Sequence, residues 1–190
     1  GIGAAGPGPA STATSRYASV FSLGSGAHFC IGALLDGAGD DRYEGYGDSH
    51  TGLAFGHDFT IAIFHDAAGD DQYRFGADGV GHAINMSLAL FTDSAGNDTY
   101  VLDRGKEGFG ITNFAPADLD PPPARNYLVH ATQVGLFLDA AGEDAYLERD
   151  PESGAESRSS VRKDGARILR PASPAREAGG RHAGVFVDRR

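Results

Sequence analysis

The residues best placed to do chemistry are aspartates at fixed offsets from a glycine and a tyrosine. Four segments align without gaps: ALLDGAGDDRY (33–43), IFHDAAGDDQY (63–73), LFTDSAGNDTY (90–100) and LFLDAAGEDAY (136–146). Each is a short apolar run followed by D-x-x-G-[DNE]-D-x-Y. Carboxylates grouped with turn carbonyls and water are the ligand chemistry of hard divalent cations, calcium above all. The candidate metal ligands are Asp36 and Asp41, Asp66 and Asp71, Asp93 and Asp98, and Asp139 and Asp144, with Asp40 and Asp70 adding acid beside them.

If the copies stack, equivalent residues form ladders about 4.8 Å apart. Two columns of carboxylates would then repel by roughly 1 kcal/mol per pair in water, and by more near a protein surface. A bound cation removes that penalty. The plainer alternative is that the first Asp of each copy caps its own turn while the second stays solvated.

The elements that must position these residues are short. Glycine recurs every few residues, and no long stretch has a period of 3.6, so helix is disfavoured. The apolar runs, such as FTIAIF (59–64) and LALF (88–91), are bounded by Gly and Asp and read as strands. In D-x-x-G-x-D the Asp side chain bonds turn amides and the Gly supplies positive φ. The first Asp residues lie 30, 27, 46 and 49 residues apart, counting Asp188 of AGVFVD (183–188) as a fifth start. A unit of 27–30 residues holds about three short strands with three turns, which is less than a propeller blade requires. The expected fold is all-β: a β-solenoid, parallel β-helix-like, with loop insertions. A stack of hairpins is the alternative.

The longer gaps carry those insertions. APADLDPPPARN (115–126) has three consecutive prolines, which exclude helix and central strand. Residues 151–181 are rich in Ser, Arg, Pro, Ala and Gly and read as a flexible basic loop. Residues 1–18 have no pattern and read as a disordered lead-in. The expected organisation is thus 1–18 lead-in, 19–150 repeat domain, 151–181 insertion and 182–190 the start of a fifth, truncated copy. The chain does not begin with Met, and it reads as a processed chain or a fragment.

Charge narrows the partners. Residues 1–150 hold 21 Asp and Glu against 7 Lys and Arg, whereas 151–190 hold 5 against 9. An acidic body disfavours nucleic acid, which requires a basic face, and suits divalent cations. No apolar run approaches the roughly 20 residues of a membrane helix. The single cysteine, Cys30, excludes an internal disulfide or a Cys-based zinc site and reads as a small buried hydrophobe.

The tyrosines, Tyr43, Tyr73, Tyr100 and Tyr146, read as a stacked column with wet hydroxyls. His28, His57, His82, His130 and His182 each precede an apolar run by a similar margin. They form a loose row that could hold a transition metal or simply bond turn backbone. No G-x-S-x-G, H-E-x-x-H, P-loop or dinucleotide fingerprint occurs.

The turns resemble the nonapeptide repeats of RTX-type calcium-binding β-rolls. GAGDDRY matches through Gly37, Gly39, Asp41 and Tyr43, and AGNDTY through Gly96, Asp98 and Tyr100. The other copies keep Gly69, Asp71, Tyr73 and Gly142, Asp144, Tyr146. The resemblance implies secretion, and calcium held by Asp carboxylates and turn carbonyls between successive coils. The whole unit looks similar to uncharacterised bacterial Gly-Asp-Tyr tandem-repeat proteins, which imply no function.

Together these readings predict a calcium-binding scaffold, extracellular or on the cell surface, that presents itself to polysaccharide or a cell surface. The rival from another class is a carbohydrate-active β-helix enzyme using the Asp pairs with His57 or His82. A third reading is a repeat with no ligand at all.

Overall fold

The computed structural model describes residues 12–14, 23–45, 52–76, 79–104, 108–113, 132–160, 162–171 and 182–190. Among them there is no helix, and the class is all-β. The strands follow in groups. The first is β1 (Thr12–Thr14), β2 (Gly26–Ala27), β3 (Ile31–Asp36) and β4 (Arg42–Gly45). Next come β5 (Gly52–His57), β6 (Ile61–Asp66) and β7 (Gln72–Phe75), then β8 (Gly79–Ile84), β9 (Leu88–Asp93) and β10 (Thr99–Asp103). The chain continues with β11 (Phe109–Asn113), β12 (Gln133–Asp139) and β13 (Ala145–Arg149), and ends with β14 (Glu156–Arg158), β15 (Arg167–Pro171) and β16 (His182–Asp188).

From β2 to β13 consecutive strands enter different sheets, and every third strand returns to the same one. The Asp sheet has the order β15-β16-β12-β9-β6-β3, the Tyr sheet β1-β4-β7-β10-β13-β14, and the Gly sheet β11-β8-β5-β2. Pairing is parallel throughout except for β13 with β14 and β15 with β16. Register matches the sequence copies: Asp36 pairs with Asp66, Asp66 with Asp93, Asp93 with Asp139 and Asp139 with Asp188. Tyr43, Tyr73, Tyr100 and Tyr146 are likewise paired in sequence. β9 and β12 are direct neighbours across the long insertion, of which residues 114–131 lie outside the described residues.

Strand alternation builds the core. In β6 the inward residues are Ala62, Phe64 and Asp66, all fully buried. Phe64, Phe91, Phe137 and Phe186 stack with centroids 5.1, 4.9 and 4.8 Å apart. The Tyr column stacks beside them at 5.3, 4.9 and 4.9 Å. Phe and Tyr columns meet edge to face, as at Tyr73 and Phe91 (5.3 Å, 89°), a geometry worth roughly 0.5–1.5 kcal/mol per pair beyond burial.

The turn glycines are fixed by close approach. A Cβ on Gly69, whose φ is +152°, would overlap the Gly39 carbonyl oxygen. One on Gly142 would overlap that of Gly96. Only glycine lets the turns stack this tightly.

Two segments differ from expectation. Thr12–Thr14 of the lead-in form a strand beside β4, and the rest of 1–18 lies outside the described residues. The basic insertion contributes two antiparallel strands, β14 and β15, rather than an open loop. Its Arg162 guanidinium lies 5.2 Å from the Phe186 ring, and Glu156 is ion-paired with Arg74 of β7. Arg162 covers aromatic core and the stretch's acids, Glu156 and Asp164, pair with Arg74 and Arg190, which orders a composition that reads as loop. No helix of the described residues is long and apolar enough to cross a membrane.

Candidate functional site

The five parallel strands of the Asp sheet end in F-x-D, or L-x-D in β3, so the Asp shares the parity of the Phe or Leu two residues before it. That places Asp36, Asp66, Asp93, Asp139 and Asp188 inside the molecule, at most 8% exposed. The turn then reverses the chain, and the second Asp enters from the opposite wall. Asp41, Asp71 and Asp98 are buried as well, and Asp144 is half-buried. The second Asp is therefore not solvated.

Hydrogen bonds run between copies as well as within them. Tyr43 donates its hydroxyl to Asp36 Oδ2 (2.9 Å) and Asp66 Oδ2 (2.8 Å). Tyr73 donates to Asp93 Oδ2 (2.5 Å), Tyr100 to Asp139 Oδ2 (2.6 Å) and Tyr146 to Asp188 Oδ2 (2.6 Å). The tyrosine hydroxyls are thus buried donors, not wet ones. The amides of Asp41, Asp71 and Asp98 donate to Asp71, Asp98 and Asp144 Oδ1 at 2.6–2.7 Å. The first Asp also caps its own turn through Oδ1, to the amides of Gly37, Ala68 and Ala95.

Asp40 and Asp70 do not join this inner seam. They lie on the exposed rim, where Asp40 Oδ1 accepts the Asp70 amide and Asp70 Oδ1 the Asn97 amide.

The seam brings carboxylates into groups whose ligand atoms lie within 4.8 Å of one another: Asp36, Asp41 and Asp66; Asp71, Asp93 and Asp98; Asp98, Asp139 and Asp144; and Asp144, Asp164 and Asp188. All eight sequence-predicted ligands are in these groups. Asp164 and Asp188 were missing from the predicted set. Asp188 was legible as the start of a fifth copy, and Asp164 only as an Asp-Gly pair inside an apparent loop.

Several oxygens in the last two groups have no donor facing them. Asp98 Oδ2, Asp139 Oδ1, Asp144 Oδ2 and Asp164 Oδ1 are buried without a hydrogen-bond partner. Leaving a buried acceptor unmet costs about 1–3 kcal/mol, and more when it is charged. Burial pushes five of the seam acids up, to about 8 for Asp71, 7 for Asp93, 9 for Asp98, 8 for Asp139 and 6 for Asp144. Asp66 and Asp188 rise for the same first cause. Neighbouring carboxylates add to the rise, while the amide and tyrosine hydrogen bonds oppose it. A proton shared between facing carboxyls or a bound cation would relieve the seam; the last group also meets Arg190, whose Nε lies 3.0 Å from Asp164 Oδ2. Two oxygens held about 2.4 Å from one calcium ion can be up to about 4.8 Å apart, so no pair within a group is too far apart to share one ion.

The histidine row does not form as a row. His28 and His57 come together at the corner between the Gly and Asp sheets, each with Nδ1 at 3.1 Å from Asp58 Oδ2. His82 is buried in the Gly sheet, edge-on to Phe55 at 5.2 Å. His182 begins β16, and His130 lies outside the described residues. Cys30 is half-buried, its Sγ 3.6 Å from Thr60 Oγ1.

No family model, no curated protein and no solved structure matches the chain.

Proposed function

We propose that the chain is a parallel β-solenoid scaffold whose inner seam of aspartates binds calcium, and that the ion is structural rather than catalytic. The observation that carries the reading is the set of unpartnered buried oxygens on Asp98, Asp139, Asp144 and Asp164. They lie in groups of three carboxylates spaced for one ion. Carboxylate-only groups suit a hard cation that takes oxygen ligands, with water or carbonyls completing the shell. The same chemistry recurs along the stack, whereas an enzyme's reacting groups are gathered at one place. A secreted or surface-exposed scaffold, presented to polysaccharide or other cells, is the role consistent with such an array.

The test is a melt followed by circular dichroism, in chelator and then in millimolar calcium, across pH. Without metal, protons must fill the seam. The folded acids titrate near 6 to 9, against about 3.9 in an unfolded chain. The folded state therefore holds more protons between about pH 4 and pH 9, and stability falls as pH rises through that window. Calcium displaces those protons, so its effect grows with pH. We expect calcium at 100 times its Kd to add about 2.7 kcal/mol, or roughly 5–10 °C in Tm, at pH 8, and far less at pH 5. Identical melts at pH 8 with and without millimolar calcium would leave the seam as proton-linked carboxyls and the calcium reading wrong.

A further inference from the structure

Residues that repeat along this chain serve the coil, and residues that break the repeat are free to serve something else. The corner between the Gly and Asp sheets shows both. In three successive copies the backbone turns through two residues of positive φ: His28 (58°) and Phe29 (58°), Asp58 (50°) and Phe59 (57°), Asn85 (50°) and Met86 (61°). The corners stack by backbone bonds, His28 N–H to the His57 carbonyl (3.1 Å) and Asp58 N–H to the Ile84 carbonyl (3.3 Å). Backbone conformation is repeated, but the side chains at the first corner position are His, Asp and Asn. The position before it is Ala27, then His57, then Ile84.

This variation assembles a group that no other corner among the described residues has. His28 Nδ1 and His57 Nδ1 each lie 3.1 Å from the same oxygen, Asp58 Oδ2, and the three ligand atoms lie within 4.8 Å of one another. Metal–ligand bonds of about 2.0–2.1 Å at tetrahedral angles set neighbouring ligand atoms about 3.3 Å apart. The two observed edges are close to that. The other oxygen of the carboxylate, Oδ1, accepts a hydrogen bond from Asn85 Nδ2 at 2.8 Å, the kind of outer partner that fixes a ligand's orientation. The His28 side chain is 71% exposed, so an ion has an approach and a fourth position can be taken by water.

We propose that His28, His57 and Asp58 form a binding site for one divalent transition-metal ion of the zinc class. Two imidazoles and one carboxylate favour such an ion over calcium, which takes oxygen ligands. The site shares no residue with the aspartate seam and stands or falls independently of it.

The experiment uses the full chain in millimolar calcium, titrated calorimetrically with zinc and, in parallel, followed by the visible spectrum of cobalt(II). We expect one zinc per chain and a cobalt spectrum typical of four- or five-coordinate imidazole ligation. His28→Ala removes an exposed side chain and should leave the far-UV spectrum unchanged while weakening zinc at least 10-fold. Asp58→Asn keeps a residue tolerated at positive φ and should do the same. Asn85→Ala should cost about 10- to 100-fold through the outer partner. Zinc binding that survives both His28→Ala and Asp58→Asn would overturn the proposal, since the ion would then belong to the aspartates. So would a cobalt spectrum of the octahedral aqua type.

Discussion

The inner seam and the outer corner solve opposite problems with similar side chains. In the seam, Asp36, Asp66, Asp93, Asp139 and Asp188 are interchangeable, buried, and bonded to the tyrosine wall by the same contacts copy after copy. At the corner, Asp58 is partly exposed and meets two histidines that have no counterpart at the other corners among the described residues. The difference teaches how to read a repetitive chain. Periodic residues carry the energy of stacking, so damage at any copy is global. An aperiodic cluster on a periodic backbone carries little stacking energy, so its loss is local.

The largest effect should come from breaking the seam's stacking. Gly69→Ala puts a Cβ onto the Gly39 carbonyl oxygen at a φ of +152°. Strain and overpacking each cost about 1–3 kcal/mol, so a loss of about 3 kcal/mol and a Tm lower by roughly 6–12 °C are expected. Gly154→Ala is the matched comparison: its φ is +72°, but nothing lies within 4 Å of the new Cβ. It should cost only about 1 kcal/mol, that of placing a side chain at positive φ. Equal losses for the two variants, measured by thermal melts, would mean that close stacking of the turns does not hold the parallel sheets together.

A smaller effect with a change of sign probes the seam's charge. In Asp98→Asn the amide oxygen still accepts the Asp71 N–H that Asp98 Oδ1 receives at 2.7 Å. The unpartnered Oδ2 becomes an uncharged amide group. In chelator at pH 8 Asp98, pushed up to about 9 by burial, must take up a proton on folding; the amide needs none, so the substitution should stabilise by at least on the order of 1 kcal/mol. If the seam binds calcium as proposed, in calcium the same substitution removes a ligand and should destabilise. If Asp98→Asn shifts the melt in the same direction in both conditions, calcium is not held at that position.

Much of this was legible in the sequence, and the reasons for the rest are physical. The strands, the all-β class and the pairing of Asp with Asp and Tyr with Tyr follow from fixed offsets in four aligned segments. The burial of the first Asp was also available, because F-x-D in 64–66, 91–93 and 137–139 puts Asp on the face of a core Phe. The Tyr-to-Asp bonds were not available. Whether Tyr73 reaches Asp66 or Asp93 depends on the stagger between opposite walls, which offsets within one copy do not encode. Asp164 escaped because the composition around it is that of a loop. Its segment is ordered instead by long-range contacts, such as Glu156 with Arg74 and Arg162 over Phe186. Asp58 escaped because it aligns with His28 and Asn85 and with no other Asp.

The smallest effect is the one that most sharpens the comparison. His28→Ala removes a side chain that is 71% exposed, while the backbone bond from its N–H to the His57 carbonyl remains. His28 sits at a φ of 58°, which His tolerates better than Ala, so a cost of up to about 1 kcal/mol and a Tm lower by no more than about 4 °C are expected in zinc-free buffer. In wild type, zinc should raise Tm, because an ion that binds only the folded chain stabilises it by mass action; in the variant that increment should vanish. A His28→Ala variant that melts far below wild type without zinc would place the corner among the elements that hold the stack together. The distinction between repeated residues that stabilise and unrepeated ones that bind would then fail at the place where it is drawn most sharply.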